Sequence, residues 1–231
     1  MTRFPRTDAA LLGAIVTLLI LSSSVAIWDE SWFNTHFAVE DGPIEYATAA
    51  LLFAATIIFI RNIRALAAPT KTAIGFTLLY ALMFFLAAGE EISWGQRIFG
   101  WDSNEFFVEN NFQNETNLHN LVVGNVHLAS FLFGHILSIL TLAYLVVLPF
   151  LIQRPGIIKN VAEKLAFPAP GKRHALLAVI ATIVISFTDA TRKWEVYELV
   201  FALLTTSIFL NPTNAIYCAT GETAPCDTVT A

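Results

Sequence analysis

Two adjacent carboxylates, Glu90 and Glu91, stand where a long apolar segment ends, and Trp94, Gln96 and Arg97 follow them closely. The eighteen residues before Glu90, 72–89, carry no charge. A segment this long and apolar is typical of a membrane span, which takes about 20 residues. Ionisable groups at membrane depth are costly and mark functional positions by default. Carboxylates in such a place can bind a cation or serve as general acid and base.

A second polar motif follows in residues 114–120, where Asn117, His119 and Asn120 stand among further amides and one carboxylate. His127 comes seven residues after Asn120. We predict Glu90, Glu91 and His119 as catalytic residues, and the same three with His127 as ligands of a divalent metal such as zinc. Mixed carboxylate and imidazole ligands suit that class of metal. The plainer interpretation is that the two glutamates pair with Arg97 or Arg192 to fix helix ends, and that His127 is a satisfied interior histidine.

Further polar residues are expected at the same membrane depth, because they stand near the ends of other apolar segments. We predict that they support the site. They are Glu45, Trp94, Gln96, Arg97, Asn117, Asn120, Asp189, Glu195 and Glu198.

The segments that would position these residues are numerous and apolar. The chain is 56% hydrophobic and only 13% charged, about half the charge of a soluble domain. Six spans are predicted, at 9–28, 43–60, 72–91, 121–151, 174–189 and 194–210. The sequence therefore predicts an all-α polytopic transmembrane bundle in one domain, 1–211, followed by a polar tail, 212–231, in which we expect Cys218 and Cys226 to be free thiols.

Charge placement predicts the orientation of this bundle. With the N-terminus in the cytoplasm, ten of the thirteen Lys and Arg residues fall on the inner side and fourteen of the eighteen acids on the outer side. Such an excess of cationic residues inside is the usual rule for membrane proteins. The first segment also resembles a signal peptide cut after Ala26, but its apolar run of about twenty residues favours an uncleaved anchor.

Two finer predictions concern residues 106–134. Asn120, Gly124, His127, Phe131 and Gly134 recur at helical spacing, so they are expected to form one interior stripe of the fourth span. Three phenylalanines of the preceding loop are expected to lie as an amphipathic segment in the membrane interface. They are Phe106, Phe107 and Phe112.

The stretch Gly89-Glu90-Glu91-Ile92-Ser93-Trp94-Gly95-Gln96-Arg97, followed by Asn117-Leu118-His119-Asn120, resembles a group of uncharacterised bacterial multi-span membrane proteins that carry GEEISWGQR-like and NLHN-like motifs. The resemblance covers 88–127 and implies a bacterial inner (plasma) membrane location. A weaker similarity, acids and histidines at one membrane face, links the chain to the alkaline ceramidase and progestin/adiponectin receptor superfamily. Those proteins hold zinc with histidines, and this chain lacks their HxxxH-type pair.

Two functions follow from these patterns. The first is a membrane-embedded, metal-dependent hydrolase that acts on a lipid-type substrate at the outer leaflet. The second is a non-enzymatic scaffold, receptor or assembly subunit whose polar cluster is structural. Transport is a weaker third hypothesis, because the inner half of the bundle has few polar residues. The sequence has no phosphate-binding glycine loop, nucleotide motif or nucleic-acid patch, so membrane lipid is the expected partner.

Overall fold

The computed structural model describes residues 5–67, 69–124, 126–128, 132, 134 and 136–217, and it is mostly helical (74%). π-Helical turns cover Phe33–Phe37 and Ala143–Val147. Short 3-10 turns cover Ile63–Ala65, Ser93–Gly95 and Ala215–Tyr217. The helices are α1 (Arg6–Trp28), α2 (Glu30–Trp32), α3 (Pro43–Asn62), α4 (Lys71–Glu91), α5 (Gln96–Phe99), α6 (Glu105–Asn110), α7 (Ser138–Leu142), α8 (Leu148–Leu151), α9 (Ile157–Lys164), α10 (Lys172–Phe187) and α11 (Lys193–Leu210).

Within the described part of the chain, three helices are long and apolar enough to cross a membrane: Arg6–Trp28, Pro43–Ala65 and Lys71–Glu91. They coincide with the first three predicted spans. The predicted fifth and sixth segments also form helices, α10 and α11, which begin and end within two residues of the expected positions. An apolar helix of shorter length occupies Ser138–Leu151.

Local sequence explains where the long helices begin. Pro43 stands in the first turn of α3, where its missing N–H costs no hydrogen bond. The Thr70 hydroxyl accepts a hydrogen bond from the Ala73 N–H at 3.1 Å and so caps α4.

The core lies around α11, twelve of whose 18 residues are buried. A helix that is buried on nearly all sides is central in its fold. Helix α3 packs against both α4 and α11, and α1 packs against α11 from another side. The Phe59 ring of α3 contacts Phe84 of α4 and Phe209 of α11, with ring centroids 5.6 and 4.5 Å apart.

The predicted fourth span is wrong in its first part. Instead of a helix from 121, a short antiparallel hairpin pairs β1 (Val122–Val123) with β2 (Val126–His127). Consecutive β-branched valines favour strands, and a Gly-Asn pair between them is a hairpin-turn signal. Gly124 has a φ of +62°, which suits glycine. The predicted helical stripe is therefore wrong for Asn120, Gly124 and His127, while Phe131 lies outside the described residues.

The helices share two ends. At one end, α4 finishes at Glu91 and α11 starts at Lys193. We call the described residues 92–124 and 126–128, which cover this end, the cap. At the opposite end, α1, α4 and α10 begin and α3 and α11 finish.

Candidate functional site

The chain reverses sharply where α4 passes into the cap. Three consecutive residues, Ser93, Trp94 and Gly95, have φ values of +46°, +56° and +79°. Only glycine adopts this left-handed region without strain, so Ser93 and Trp94 store backbone strain that their contacts must offset. The reversal lets α5 start directly at Gln96.

Trp94 folds back along the last turns of α4. Its indole Nε1 donates a hydrogen bond to Glu90 Oε1 at 3.0 Å, and its ring lies 6.1 Å from that of Phe85. A Cβ atom on Gly89 would come within 2.8 Å of the Trp94 ring. Glycine is therefore required at 89 for the indole to lie against the helix.

Ser93, Glu115 and Asn117 form a buried hydrogen-bonded group between the two motifs. The Ser93 hydroxyl donates to Glu115 Oε2 at 2.6 Å. The Asn117 amide donates to Ser93 Oγ at 2.8 Å and to the same Glu115 oxygen at 3.0 Å. Arg97 donates to the other oxygen, Oε1, from Nε at 3.0 Å and from Nη2 at 2.6 Å. Four donors thus surround one carboxylate that is 5% exposed.

The loop after α6 is held by its own amide side chains. Asn117 Oδ1 accepts from Asn111 Nδ2 at 2.9 Å and from the Asn120 N–H at 3.1 Å. Asn111 Oδ1 accepts from the N–H groups of Gln113 and Glu115, at 2.8 and 3.2 Å. These side chains satisfy backbone groups that a helix or sheet would otherwise pair.

Glu90 and His119 come together as predicted, but largely through the backbone. Glu90 Oε2 accepts from the N–H groups of Leu118 and His119, at 2.5 and 3.2 Å. His119 Nδ1 lies 3.9 Å from the same oxygen. Burial lowers the pKa of His119 from its usual 6.5, while the charge of Glu90 acts in the opposite direction.

Ion pairs join the loop before α3 to the cap and to the loop between α10 and α11. Arg97 lies 3.5 Å from Asp41, and Arg192 Nη2 lies 2.6 Å from Glu40 Oε2. Gln113 donates to the other oxygen of Glu40. The hydrogen bond that Arg97 donates to Glu115 raises the pKa of Arg97, and burial raises the pKa of Asp41 although Arg97 opposes it.

Glu91 lies apart from Glu90, in electrostatic contact with glutamates of two other helices. Its carboxylate interacts with those of Glu45, Glu195 and Glu198. Glu45 Oε2 accepts the Asp41 N–H at 2.6 Å, and Glu195 lies 3.7 Å from Arg192. Three of the predicted supporting residues are thus near Glu91 rather than near His119.

The predicted metal site is not supported by this arrangement. No group of three or more His, Cys, Asp or Glu side chains is placed to hold a metal ion among the residues that the structure describes. The four predicted ligands separate because Glu91 points away from Glu90, about 100° around the helix. His127 stands on the hairpin, with its ring 5.5 Å from that of Phe112.

The remaining predicted residues have separate positions. Gln96 Oε1 accepts from the Thr116 N–H at 2.8 Å and from Ser103 Oγ at 3.1 Å, so it joins the two motifs. Asp189 follows α10 and is exposed, away from the buried group.

A second buried polar cluster lies at the opposite end of the bundle, and the sequence analysis missed it. Asp8 of α1 is fully buried, and its Oδ1 accepts from Ser207 Oγ at 2.7 Å and from Asn211 Nδ2 at 2.9 Å. Arg173 pairs with the other oxygen. His174 Nε2 lies 3.1 Å from Ser207 Oγ, and its Nδ1 accepts the Gly171 N–H at 3.0 Å.

This second cluster does not have the proton order of a catalytic triad. Because His174 Nδ1 accepts a hydrogen bond, the neutral ring carries its proton on Nε2 and donates it to Ser207. Ser207 then donates to Asp8. The serine proton therefore points away from the histidine, whereas a nucleophilic serine gives its proton to one.

The sequence signals for the missed residues were present but weak. Asp8 stands one residue before the first predicted span, 9–28, and a charge next to a span is expected to have a partner. Glu115 and Asn111 stand in a loop unusually rich in amides, which indicates side-chain hydrogen bonding to the backbone.

Comparison of the chain with protein-family models, with curated proteins and with solved structures gives no match.

Proposed function

We propose that this protein is a non-enzymatic membrane scaffold, receptor or assembly subunit, in which the polar cluster of the cap is structural. The observation that carries the proposal is the saturation of Glu115. A carboxylate offers about four lone-pair positions, and four donors from Ser93, Asn117 and Arg97 occupy them. A general base or a metal ligand needs a lone pair directed at its substrate or ion.

Glu90 supports the same role. Its two oxygens accept three hydrogen bonds, from the Trp94 indole and from the N–H groups of Leu118 and His119. The carboxylate therefore fixes the loop that holds Leu118 and His119 to the end of α4. Such charge-assisted bonds are about twice as strong as neutral ones.

The proposal includes six spans in a bacterial inner membrane, with the N-terminus on the cytoplasmic side. Cationic residues stand at the end of the bundle opposite to the cap, at Lys71, Lys172 and Arg173. The positive-inside rule then places the cap outside the cytoplasm. Membership in the bacterial family with the two motifs stays a prediction, based on the residues that carry them.

The test is the stability of the purified protein in detergent. Glu115→Gln replaces one oxygen of a carboxylate whose side chain is 7% exposed with an NH2 group, which cannot accept the two hydrogen bonds made there, while Arg97 is half exposed and can turn to water. We expect a loss of about 2 kcal/mol in the free energy of unfolding. Glu109→Gln, an exposed change in α6, is the matched control and should stay within about 0.5 kcal/mol of the parent. Equal stability of both variants would exclude the structural role.

One observation favours the hydrolase instead. Ser93 has strained backbone and donates a 2.6 Å hydrogen bond to a carboxylate, and strain of this kind clusters at active sites. A lipid hydrolase with Ser93 as nucleophile should react with a serine-directed phosphonate probe. Labelling that is lost in Ser93→Ala would support the enzyme, and absence of labelling in the folded parent protein would favour the scaffold.

A further inference from the structure

The exposed apolar face of α4 continues beyond the end of the helix. Leu82 and Phe85 are 52% and 43% exposed on α4, as expected for a helix that faces lipid. Trp94 belongs to the cap, yet its ring lies against Phe85 and above Gly89, and it is 39% exposed. The indole therefore extends the apolar face of the span.

Leu118 extends this face further onto the cap. The Glu90 carboxylate accepts hydrogen bonds from both the Trp94 indole and the Leu118 N–H, which holds the two residues beside each other. The Leu118 side chain is 54% exposed. Exposed apolar side chains thus extend from Phe85 to Trp94, and Leu118 is held near Trp94 by their shared acceptor, Glu90, although Leu118 is 27 positions further along the chain than Glu91. We call these three residues the apolar strip.

We propose that this strip lies in the headgroup region of the membrane, so that the cap rests on the lipid surface instead of projecting into water. We assign lipid as the partner of this strip because the strip continues the exposed face of α4 that carries Phe85, and α4 is long and apolar enough to span a membrane. Tryptophan prefers the boundary between apolar and polar membrane layers. The proposal holds for a scaffold and for an enzyme alike, since it depends only on the span and the cap.

The arginines at this end of the bundle are held in ion pairs, which favours apolar over electrostatic binding of the cap to lipid. Arg97 is paired with Glu115 and Asp41, and Arg192 with Glu40. Both arginines are therefore engaged within the protein and are poorly placed to attract anionic headgroups. Polybasic surfaces bind anionic lipid in a salt-dependent way. The cap instead binds by apolar insertion, so its depth is independent of salt and of anionic lipid.

The experiment measures depth with one fluorescent label. Full-length protein with Cys218→Ser and Cys226→Ser carries either Leu118→Cys or the control Glu109→Cys, each labelled with an environment-sensitive dye. Each variant is placed in phosphatidylcholine vesicles with lipids spin-labelled near the headgroup, and iodide serves as the aqueous quencher. We expect the label at 118 to be quenched several-fold more by spin-labelled lipid than by iodide, with the reverse order at 109.

The proposal is overturned if iodide quenches the label at 118 as strongly as at 109. It is also overturned if lipid quenching appears only with anionic phosphatidylglycerol and disappears at high salt. A measurement on the unaltered protein provides a second check. Lipids with a photoreactive group at the headgroup should form adducts on the peptide that holds Leu118, and adducts confined to the spanning helices would contradict the cap's position. The stability of the Glu115→Gln variant tests the scaffold function separately, because that measurement does not depend on how deep the cap lies in the membrane.

Discussion

Gly89→Ala tests the contact that shapes the motif at the end of α4. The new Cβ would lie 2.8 Å from the Trp94 ring, closer than real Cβ contacts allow. The ring cannot move freely, because its Nε1 is bonded to Glu90 and its backbone is left-handed. Overpacking of this kind costs about 1–3 kcal/mol. Alanine in a helix also gains about 1 kcal/mol over glycine, so the net loss is about 0–2 kcal/mol.

Gly75→Ala is the matched control, because Gly75 lies in the same helix with nothing within 4 Å of a Cβ. It carries the same gain in helix propensity without the clash. The difference in unfolding free energy between the two variants should therefore be about 1–3 kcal/mol, measured by thermal or denaturant unfolding in one detergent. Trp94→Ala should lower the unfolding free energy less in the Gly89→Ala background than in the parent protein, because it removes the clash there. Equal effects of the two glycine substitutions would refute the packing of Trp94 on α4.

Three further predictions address other parts of the molecule. Asp8→Asn should destabilise the protein by about 3 kcal/mol, because it removes the fully buried carboxylate from its ion pair and replaces one of its hydrogen-bonding oxygens; an unchanged melting temperature would contradict the cluster. Since the pKa of His119 lies below its usual 6.5, the unfolded chain takes up the proton first, so its contribution to stability is complete above pH 6.5 and is lost as the pH falls toward the folded value. Melting temperatures between pH 8 and pH 5 should therefore fall less in His119→Asn than in the parent, and parallel curves would exclude this effect. A chelator should leave the melting temperature unchanged, since no three donors converge in the described part of the chain, and a marked drop would restore the metal hypothesis.

The helices were largely predictable because their signal is local. Long uncharged runs with charges at both ends located α1, α3 and α4 within about three residues, the usual precision of such boundaries. The angular separation of adjacent helical residues explains why Glu90 and Glu91 point apart. The hairpin of Val122–Val123 and Val126–His127 was not predicted because its uncharged apolar run is also typical of a helix, although its valines favour strands and its Gly-Asn pair favours a turn.

The site was predictable in composition but not in pairing. The sequence predicted Glu90, Arg97, Asn117 and His119 at one end of the bundle, yet it could not show that Arg97 and Asn117 surround Glu115. Such contacts depend on how the chain folds back after Gly95, over more than twenty residues of loop. Similarly, Asp8 meets Ser207 across almost the whole length of the chain, and only the packed bundle brings them together.

The most direct test of the central claim is a double-mutant cycle on Arg97 and Glu115, with unfolding free energy as the readout. If the carboxylate is a structural acceptor, Arg97→Gln and Glu115→Gln should be coupled by about 1–2 kcal/mol, as expected for a half-exposed arginine that donates two charge-assisted hydrogen bonds to one carboxylate oxygen. Additive effects, with no coupling, would contradict the claim that this pair fixes α5 to the loop after α6.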